Sequence, residues 1–161
     1  MEDNGVMKAS EPAVTYPMTS YADVMSYIHS IHISREDKEK VAKRLTIEVT
    51  GQYLSKAFDR LEHLSQLKDG WDGYDASKIS YSVLQNLREV LLISDNEDWE
   101  YWMISPAPNG SLGLQSKRHP ASISVGDKEF SFYSETEKGE DWGDNIKFNP
   151  SDFLAIMRKI V

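Results

Sequence analysis

Three carboxylates at three-residue spacing stand in the segment Asp69-Gly70-Trp71-Asp72-Gly73-Tyr74-Asp75-Ala76. Carboxylate oxygens are the ligands that calcium and magnesium prefer, so Asp69, Asp72 and Asp75 are candidate metal ligands. A calcium loop of the EF-hand type also needs a bidentate Glu at its twelfth position, where this chain has Ser80. Because the spacing departs from that pattern, a small metal-dependent hydrolase using these carboxylates is an alternative hypothesis and not the leading one.

The same segment has a structural interpretation. Asp69-Gly70 and Asp72-Gly73 are turn dipeptides whose glycines permit a positive φ. In that interpretation Trp71 and Tyr74 pack back onto the helices and the sheet. If the aromatic rings are exposed instead, we expect Trp71, Asp72 and Tyr74 to form a binding surface.

Other catalytic patterns are missing from the sequence. It has no cysteine and therefore no thiolate nucleophile, disulfide or sulfur-ligated zinc site. No His-Glu-x-x-His, Gly-x-Ser-x-Gly or glycine-rich phosphate loop occurs. We therefore predict no catalytic residue and no cofactor, which favours a protein that is not an enzyme.

Acidic residues dominate the later part of the chain. From Ser94 to Asn145 there are 11 acidic and 4 basic residues. The densest group surrounds a tryptophan and comprises Glu135, Glu137, Glu140, Asp141 and Trp142. Such a cluster is either solvated loop charge or a surface that attracts a basic protein.

Composition limits the possible partners. The chain has 161 residues, 40% of them hydrophobic, a net charge of -8 and a pI of about 5.0. This acidity disfavours nucleic acid and anionic membranes as partners. A third hypothesis, a stacking platform for single-stranded nucleic acid, would use the aromatic rings between Trp99 and Tyr133, but few basic residues accompany them. A second copy of this chain, forming a homo-oligomer, is a further candidate partner.

The start of the chain indicates its location and its order. Residues 1–18 lack a secretory signal pattern and contain few large apolar side chains, so we predict a flexible leader and a cytoplasmic protein. The remaining residues, 19–161, are the size of one domain.

Helix signals fill residues 19–93. Ser20 and Ser34 are candidate N-caps, and apolar residues recur at three- and four-residue spacing after each. The second helical region continues past Gly51 to about Lys68, and Gly51 marks a kink or a boundary. A further helix should begin near Ser80 or Ser82 and end near Ile93.

Strand signals fill much of residues 94–161. Apolar residues alternate in four segments, which are 99–103, 112–114, 123–125 and 130–132. We expect an antiparallel meander of about four strands, a loop over Glu135 to Asp144, and a final helix that begins at Asn149-Pro150. Helices followed by strands predict an α+β fold, with residues 94–161 supplying the sheet and the final helix.

Two segments resemble known groups of proteins. Leu61 to Ala76, a following helix, and Ile104 to Leu114 resemble small uncharacterised bacterial proteins that carry a Gly-Trp-Asp-Gly-Tyr-x-Ala loop and a Pro-x-x-x-Gly hairpin. Asp75 stands where that group often has a small residue. The front segment, Ser20 to Val49, is similar to short antitoxin-like proteins of addiction modules.

These resemblances imply a small accessory or toxin–antitoxin-associated protein that acts by binding, and they imply no catalytic residue. The chain lacks the helix-turn-helix or basic arm of a DNA-binding antitoxin. Our leading prediction is a non-enzymatic interaction module whose partner is a basic protein.

Overall fold

The computed structural model describes residues 20–161. It contains four α-helices and five β-strands in these residues. In chain order they are α1 (Tyr21–Ser30), α2 (Arg35–Ser65), α3 (Tyr81–Ile93), a short 3-10 helix (Asn96–Trp99), β1 (Trp102–Pro106), β2 (Leu112–Ser116), β3 (Ala121–Val125), β4 (Glu129–Thr136), β5 (Gly139–Lys147) and α4 (Pro150–Lys159). The predicted α+β class is confirmed, and the predicted leader, residues 1–18, lies outside the described residues.

Local side chains determine where the first two helices begin. The Ser20 side chain accepts a hydrogen bond from the Asp23 backbone N–H at 3.2 Å, and the Asp23 carboxylate accepts one from Ser20 N–H at 3.0 Å. Ser34 caps α2 by accepting from the Asp37 N–H at 3.1 Å. These contacts satisfy N–H groups that a helix leaves without an internal partner, so both predicted N-caps are confirmed.

Helix α2 is kinked at Gly51, as the sequence predicted. Gly51 has φ +75° and ψ 172°, which is outside the helical region. The side-chain oxygen of Asn96 accepts hydrogen bonds from the Tyr53 and Leu54 N–H groups, at 2.8 and 3.2 Å. Asn96 therefore caps the second half of α2 from a distant part of the chain.

The sheet is an antiparallel meander in the order β1-β2-β3-β4-β5. Its inner face packs against the helices and contributes large side chains to the core. These include Trp102, Ile104, Leu112, Leu114, Ile123, Val125 and Phe130, all buried. Helix α2 lies against β1, and α4 packs against α3 and Phe130 through Phe153. The opposite face of the sheet is open to solvent at Met103, Gln115, Ser122 and Ser124.

The loop predicted over Glu135 to Asp144 is wrong, and a fifth strand was therefore missed. β4 extends to Thr136, and β5 pairs with it from Gly139 onward. Glycine and acidic residues have low strand propensity, but pairing along β4 satisfies the backbone groups and overrides that preference. A Cβ at Gly143 would lie 2.6 Å from Phe132 Cε1, so a larger residue there would have to displace that ring.

The strand predicted over 99–103 is also corrected. Trp99 ends the short 3-10 helix and is only 3% exposed, and β1 begins at Trp102. Trp102 and Ile104 face the core, while Met103 is 46% exposed. Apolar residues occur at both alternating sets of positions in this segment. The pairing of Ile104 with Leu114 places Trp102 and Ile104 on the buried face.

Helix α4 begins at the predicted Asn149-Pro150 and is held at its far end by Arg158. Asn149 caps it by accepting from the Ser151 and Asp152 N–H groups. Arg158 donates to both carboxylate oxygens of Asp98, each at 2.7 Å. Such bidentate pairs are among the stronger polar contacts, and this one joins α4 to the 3-10 helix. No helix in residues 20–161 is long and apolar enough to cross a bilayer.

Candidate functional site

The acidic segment forms an exposed face on the β4–β5 hairpin. Tyr133 is directly opposite Trp142, and Glu135 is directly opposite Glu140. Residues two apart on a strand share a face, so these four side chains lie on one side of the sheet. That side is the solvent-exposed one, and we call the four residues the acidic face.

Trp142 is the most exposed tryptophan in the described part of the chain. Its exposed fraction is 69%, whereas Trp99 and Trp102 are buried. A large aromatic ring left open to water beside charged groups is typical of a recognition surface. The Trp142 ring and the neighbouring Tyr133 ring, 37% exposed, are therefore accessible to another molecule.

The two glutamates repel each other. Like charges directly opposite on neighbouring strands destabilise the pair. The hydroxyl of Tyr133 lies 3.4 Å from Glu135 Oε2, which is at the outer limit for a hydrogen bond. Desolvation, together with the negative charges of Glu135 and Glu140, raises the pKa of the Tyr133 hydroxyl. A cation bound between these groups would relieve the repulsion.

Two other predicted binding residues do not belong to the acidic face. Asp141 is on the opposite side of the hairpin, where it forms a 2.7 Å ion pair with Lys159 of α4. Glu137 is in the turn between β4 and β5 and is exposed. The structure therefore brings Glu135, Glu140 and Trp142 together, and the contribution of Asp141 is to hold α4.

The sequence did not single out Tyr133 as a site residue. It was grouped with other aromatic residues in the hypothesis of a nucleic-acid platform. Trp99, Trp102 and Phe130 of that set are buried in the core and cannot stack on a base. The signal that could have found Tyr133 is its two-residue spacing from Glu135, which becomes informative only once β5 is known to pair with β4.

The segment Asp69 to Ala76, which we call the tryptophan loop, is built by its own polar groups. Asp69 accepts from the Lys78 N–H at 2.8 Å. Asp72 accepts from the Tyr74 and Ala76 N–H groups at 2.9 and 3.3 Å. Carboxylates that accept backbone N–H groups in this way stabilise turns. The positive φ predicted for Gly70 and Gly73 is confirmed, at +76° and +86°.

The aromatic residues of this loop differ in exposure. The Trp71 indole N–H donates to the Ser77 carbonyl oxygen at 3.0 Å, and the ring is half-buried. Tyr74 is 86% exposed, so the expectation that it packs back onto the fold is wrong. The Asp72 carboxylate fixes the backbone of Tyr74 in the turn, and the side chain is exposed to solvent there.

The tryptophan loop does not gather its carboxylates into a metal site. No group of three or more His, Asp or Glu side chains in residues 20–161 is arranged to hold a metal ion. Asp69 and Asp72 each use one oxygen to bind backbone N–H groups, and Asp75 is exposed. The candidate ligands Asp69, Asp72 and Asp75 therefore gain no specific support from the loop geometry.

The tryptophan loop and the acidic face are at different ends of the molecule. Ser77 and Ser80 donate their N–H groups to Pro108 and Gly110 in the β1–β2 turn. In a meander that turn lies at the opposite end of the sheet from the β4–β5 turn. The predicted binding residues thus form two separate surfaces.

The start of α3 is tied to the same end of the sheet. Ser80 and Ser82 both donate hydroxyl hydrogen bonds to Asp127 in the β3–β4 turn. These bonds lower the pKa of the Asp127 carboxyl group. Asn86 donates to the carbonyl oxygens of Gly126 and Asp127, both at 3.0 Å. These hydrogen bonds join the start of α3 to the β3–β4 turn, and both partners of each bond belong to the described part of the chain.

No protein-family model, curated protein or solved structure significantly matches this chain. The two resemblances seen in the sequence remain hypotheses. The functional argument therefore depends on the geometry of the residues themselves.

Proposed function

We propose that the protein is a non-enzymatic interaction module that binds a basic protein through the acidic face. The observation that carries the proposal is the exposed Trp142 ring beside two carboxylates that face each other across the β4–β5 ladder. An arginine or lysine side chain of a partner would lie against the ring and between the carboxylates. Cation–π attraction and the relief of charge repulsion would both favour that arrangement.

Charge over the whole hairpin supports the same partner. Residues 129–147 contain six acidic and two basic side chains. An excess of one sign on an exposed surface steers an oppositely charged partner toward it and raises the association rate. The resemblance of residues 20–49 to antitoxin-like proteins makes a basic toxin the kind of partner we would test first.

Affinity capture tests the proposal. Tagged protein is incubated at low salt with lysate of the cells in which it is native, and the bound proteins are identified and their stoichiometry is measured. We expect a basic protein in a defined ratio for the wild type. The double variant Glu135→Lys/Glu140→Lys should lose that partner.

Glu89→Lys/Glu97→Lys is the matched control. Both residues are exposed and belong to α3 and the 3-10 helix rather than to the hairpin, and the double variant changes the net charge by the same amount. We expect it to retain the partner. Equal loss from both double variants would show a general charge effect, and retention by both would exclude the acidic face as the binding surface.

A further inference from the structure

A second surface with the opposite charge lies at the other edge of the sheet. A cleft of about 370 Å³ separates α2 from the edge strand β1 and the residues near it. Three basic side chains line it, and they are Lys56, Arg60 and Lys117. Glu100 is the only acidic residue among the cleft-lining residues that the structure describes. In a chain of net charge -8, this concentration of positive charge is a local reversal.

The three cations lack carboxylate partners within residues 20–161. None of them takes part in an ion pair there, although other basic residues such as Arg44 and Arg158 do. Lys56 and Lys117 are exposed and their ammonium groups make no hydrogen bond to the described residues. Their charges are therefore available to a ligand that brings its own negative group.

Arg60 is held in place by the sheet. Its Nε donates to the Ile104 carbonyl oxygen at 3.0 Å. That carbonyl belongs to an edge strand, so the bond also covers a backbone acceptor that would otherwise face solvent. The terminal nitrogens of the guanidinium group stay free to form paired hydrogen bonds to a carboxylate or a phosphate.

Aromatic residues form the rest of the wall. Tyr53, Trp99 and Trp102 all line the cleft. The indole nitrogen of Trp99 is buried and has no hydrogen-bond partner among the described residues. A buried donor without an acceptor is uncommon in folded proteins, and here it belongs to the wall of a cleft lined by cations.

Glu100 offsets only one of the three positive charges that line the cleft. Its carboxylate also raises the pKa of the neighbouring Tyr101 hydroxyl. Arg118, which follows Lys117, lies over the Tyr101 ring with its guanidinium carbon 5.4 Å from the ring centre. The surroundings of the cleft therefore remain basic and aromatic.

We propose that this cleft binds a small organic anion that carries a planar ring next to a phosphate or carboxylate group. The negative group would contact Lys56, Arg60 and Lys117, and the ring would lie against the half-buried ring of Tyr53. The volume is within the range of small-molecule sites, at its lower end, which fits a ligand of one ring. This proposal is independent of the acidic face, because β1 and β5 are opposite edges of the sheet.

Titration followed by two-dimensional NMR of the indole N–H groups tests the site. Phenyl phosphate and benzoate are the probes, with phenol as the neutral analogue and inorganic phosphate as the anion without a ring. We expect saturable shifts of the Trp99 and Trp102 resonances with one or both ring anions, and none at Trp71 or Trp142. Whichever of phenyl phosphate and benzoate binds with the higher affinity identifies the anionic group that the cleft prefers.

Variants connect the shifts to the cleft. Lys56→Gln/Lys117→Gln should weaken binding at least about tenfold, because two charged contacts are lost while no hydrogen bond of the fold is removed. Lys68→Gln/Lys78→Gln makes the same change of charge at exposed residues elsewhere and should alter the affinity less than about twofold. Melting temperatures of both variants verify that the fold is retained.

Three results would overturn the proposal. One is the lack of a saturable shift with either ring anion up to tens of millimolar. Another is equal weakening in the two double variants. The third is a response to phenol as strong as the response to phenyl phosphate, which would show that the cations contribute nothing.

Discussion

Asn96 is the side chain that stabilises the bend in the longest helix. Replacing it with alanine removes the acceptor for two backbone N–H groups at the kink. Loss of an N-cap costs roughly 1–2 kcal/mol, and we expect Asn96→Ala to lower the free energy of unfolding by that amount. Chemical denaturation measures it.

Asn96→Asp is the control for this prediction. It keeps a side-chain oxygen where the N–H groups point, so it should retain more than half of the lost stability. If alanine and aspartate variants unfolded at the same denaturant concentration, the capping account would be wrong.

Asp98 makes stability depend on pH. Its side chain is 9% exposed and accepts two hydrogen bonds from Arg158. Burial opposes ionisation, but the hydrogen bonds from Arg158 and the Asp95 backbone outweigh it and hold the pKa of Asp98 below its ordinary value. A lowered carboxyl pKa stabilises the fold above the pKa of the unfolded chain, about 3.9, and this contribution disappears as pH falls through the folded pKa.

We therefore expect Asp98→Asn to cost about 1–2 kcal/mol at pH 7, and the difference from wild type to shrink below about pH 4. Urea denaturation across pH 2.5–7 measures this. Asp95→Asn is the comparison, since Asp95 has a side chain that is 78% exposed and only one contact to Arg158. A cost for Asp98→Asn that did not change with pH would contradict the assignment.

Glu135 and Glu140 should reduce the stability of the free protein. Neutralising either one, as Glu135→Gln or Glu140→Gln, removes a like-charge pair and should raise the free energy of unfolding by about 0.2–0.5 kcal/mol at low salt. Glu137→Gln removes a charge in the nearby turn, where no directly opposite carboxylate exists, and should have a smaller effect. A gain that persisted unchanged in 1 M salt would not be electrostatic.

Among the elements, the turn between β1 and β2 is fixed by Gly110. This residue has φ +81°, and a Cβ there would lie 2.9 Å from the Lys78 carbonyl oxygen. Gly73 has a similar φ of +86°, but a Cβ there would meet no atom within 4 Å. Any substitution at either glycine forces a side-chain-bearing residue into a positive φ, but only a substitution at Gly110 also creates a steric clash.

We expect Gly73→Ala to cost about 1 kcal/mol and Gly110→Ala about 2 kcal/mol or more, because the second also pushes Lys78 and the end of the adjoining tryptophan loop away from the sheet. Thermal and chemical denaturation of both variants measure the difference. Equal costs would mean that the contact between the loop and the hairpin contributes no stability.

The sequence predicted best those elements whose signals are local. The N-caps at Ser20, Ser34 and Asn149 and the kink at Gly51 each depend on a few neighbouring residues. β5 was missed because its stability comes from pairing with β4, and a single-strand pattern of acids and glycines does not contain that information.

The candidate sites were predictable to different degrees. Glu135, Glu140 and Trp142 were visible as a cluster, but their common face follows from the register of β4 and β5. Asp141 lies between Glu140 and Trp142 in the sequence, but successive side chains of a strand point to opposite faces. Asp141 is therefore on the other face, beside Lys159. The basic cleft could not be predicted, because Lys56, Arg60 and Lys117 come from distant parts of the chain.

Across the whole molecule, the two edges of the sheet carry opposite charge. The β5 edge belongs to the acidic hairpin, and the β1 edge borders the basic cleft. Charge on an edge strand also discourages unwanted strand pairing, and at β1 the side chain of Arg60 covers a backbone carbonyl. The acidic face and the basic cleft therefore do not overlap.

The most direct test of the central proposal is the affinity of the purified complex with the captured partner, measured by calorimetry from 50 to 500 mM salt. We expect the affinity to fall with salt and Trp142→Ala to weaken it about tenfold or more at every salt concentration. Tyr74→Ala, which removes an exposed aromatic ring from the tryptophan loop, should leave it nearly unchanged. An affinity independent of salt, or one insensitive to Trp142→Ala, would contradict the assignment of the acidic face as the binding surface.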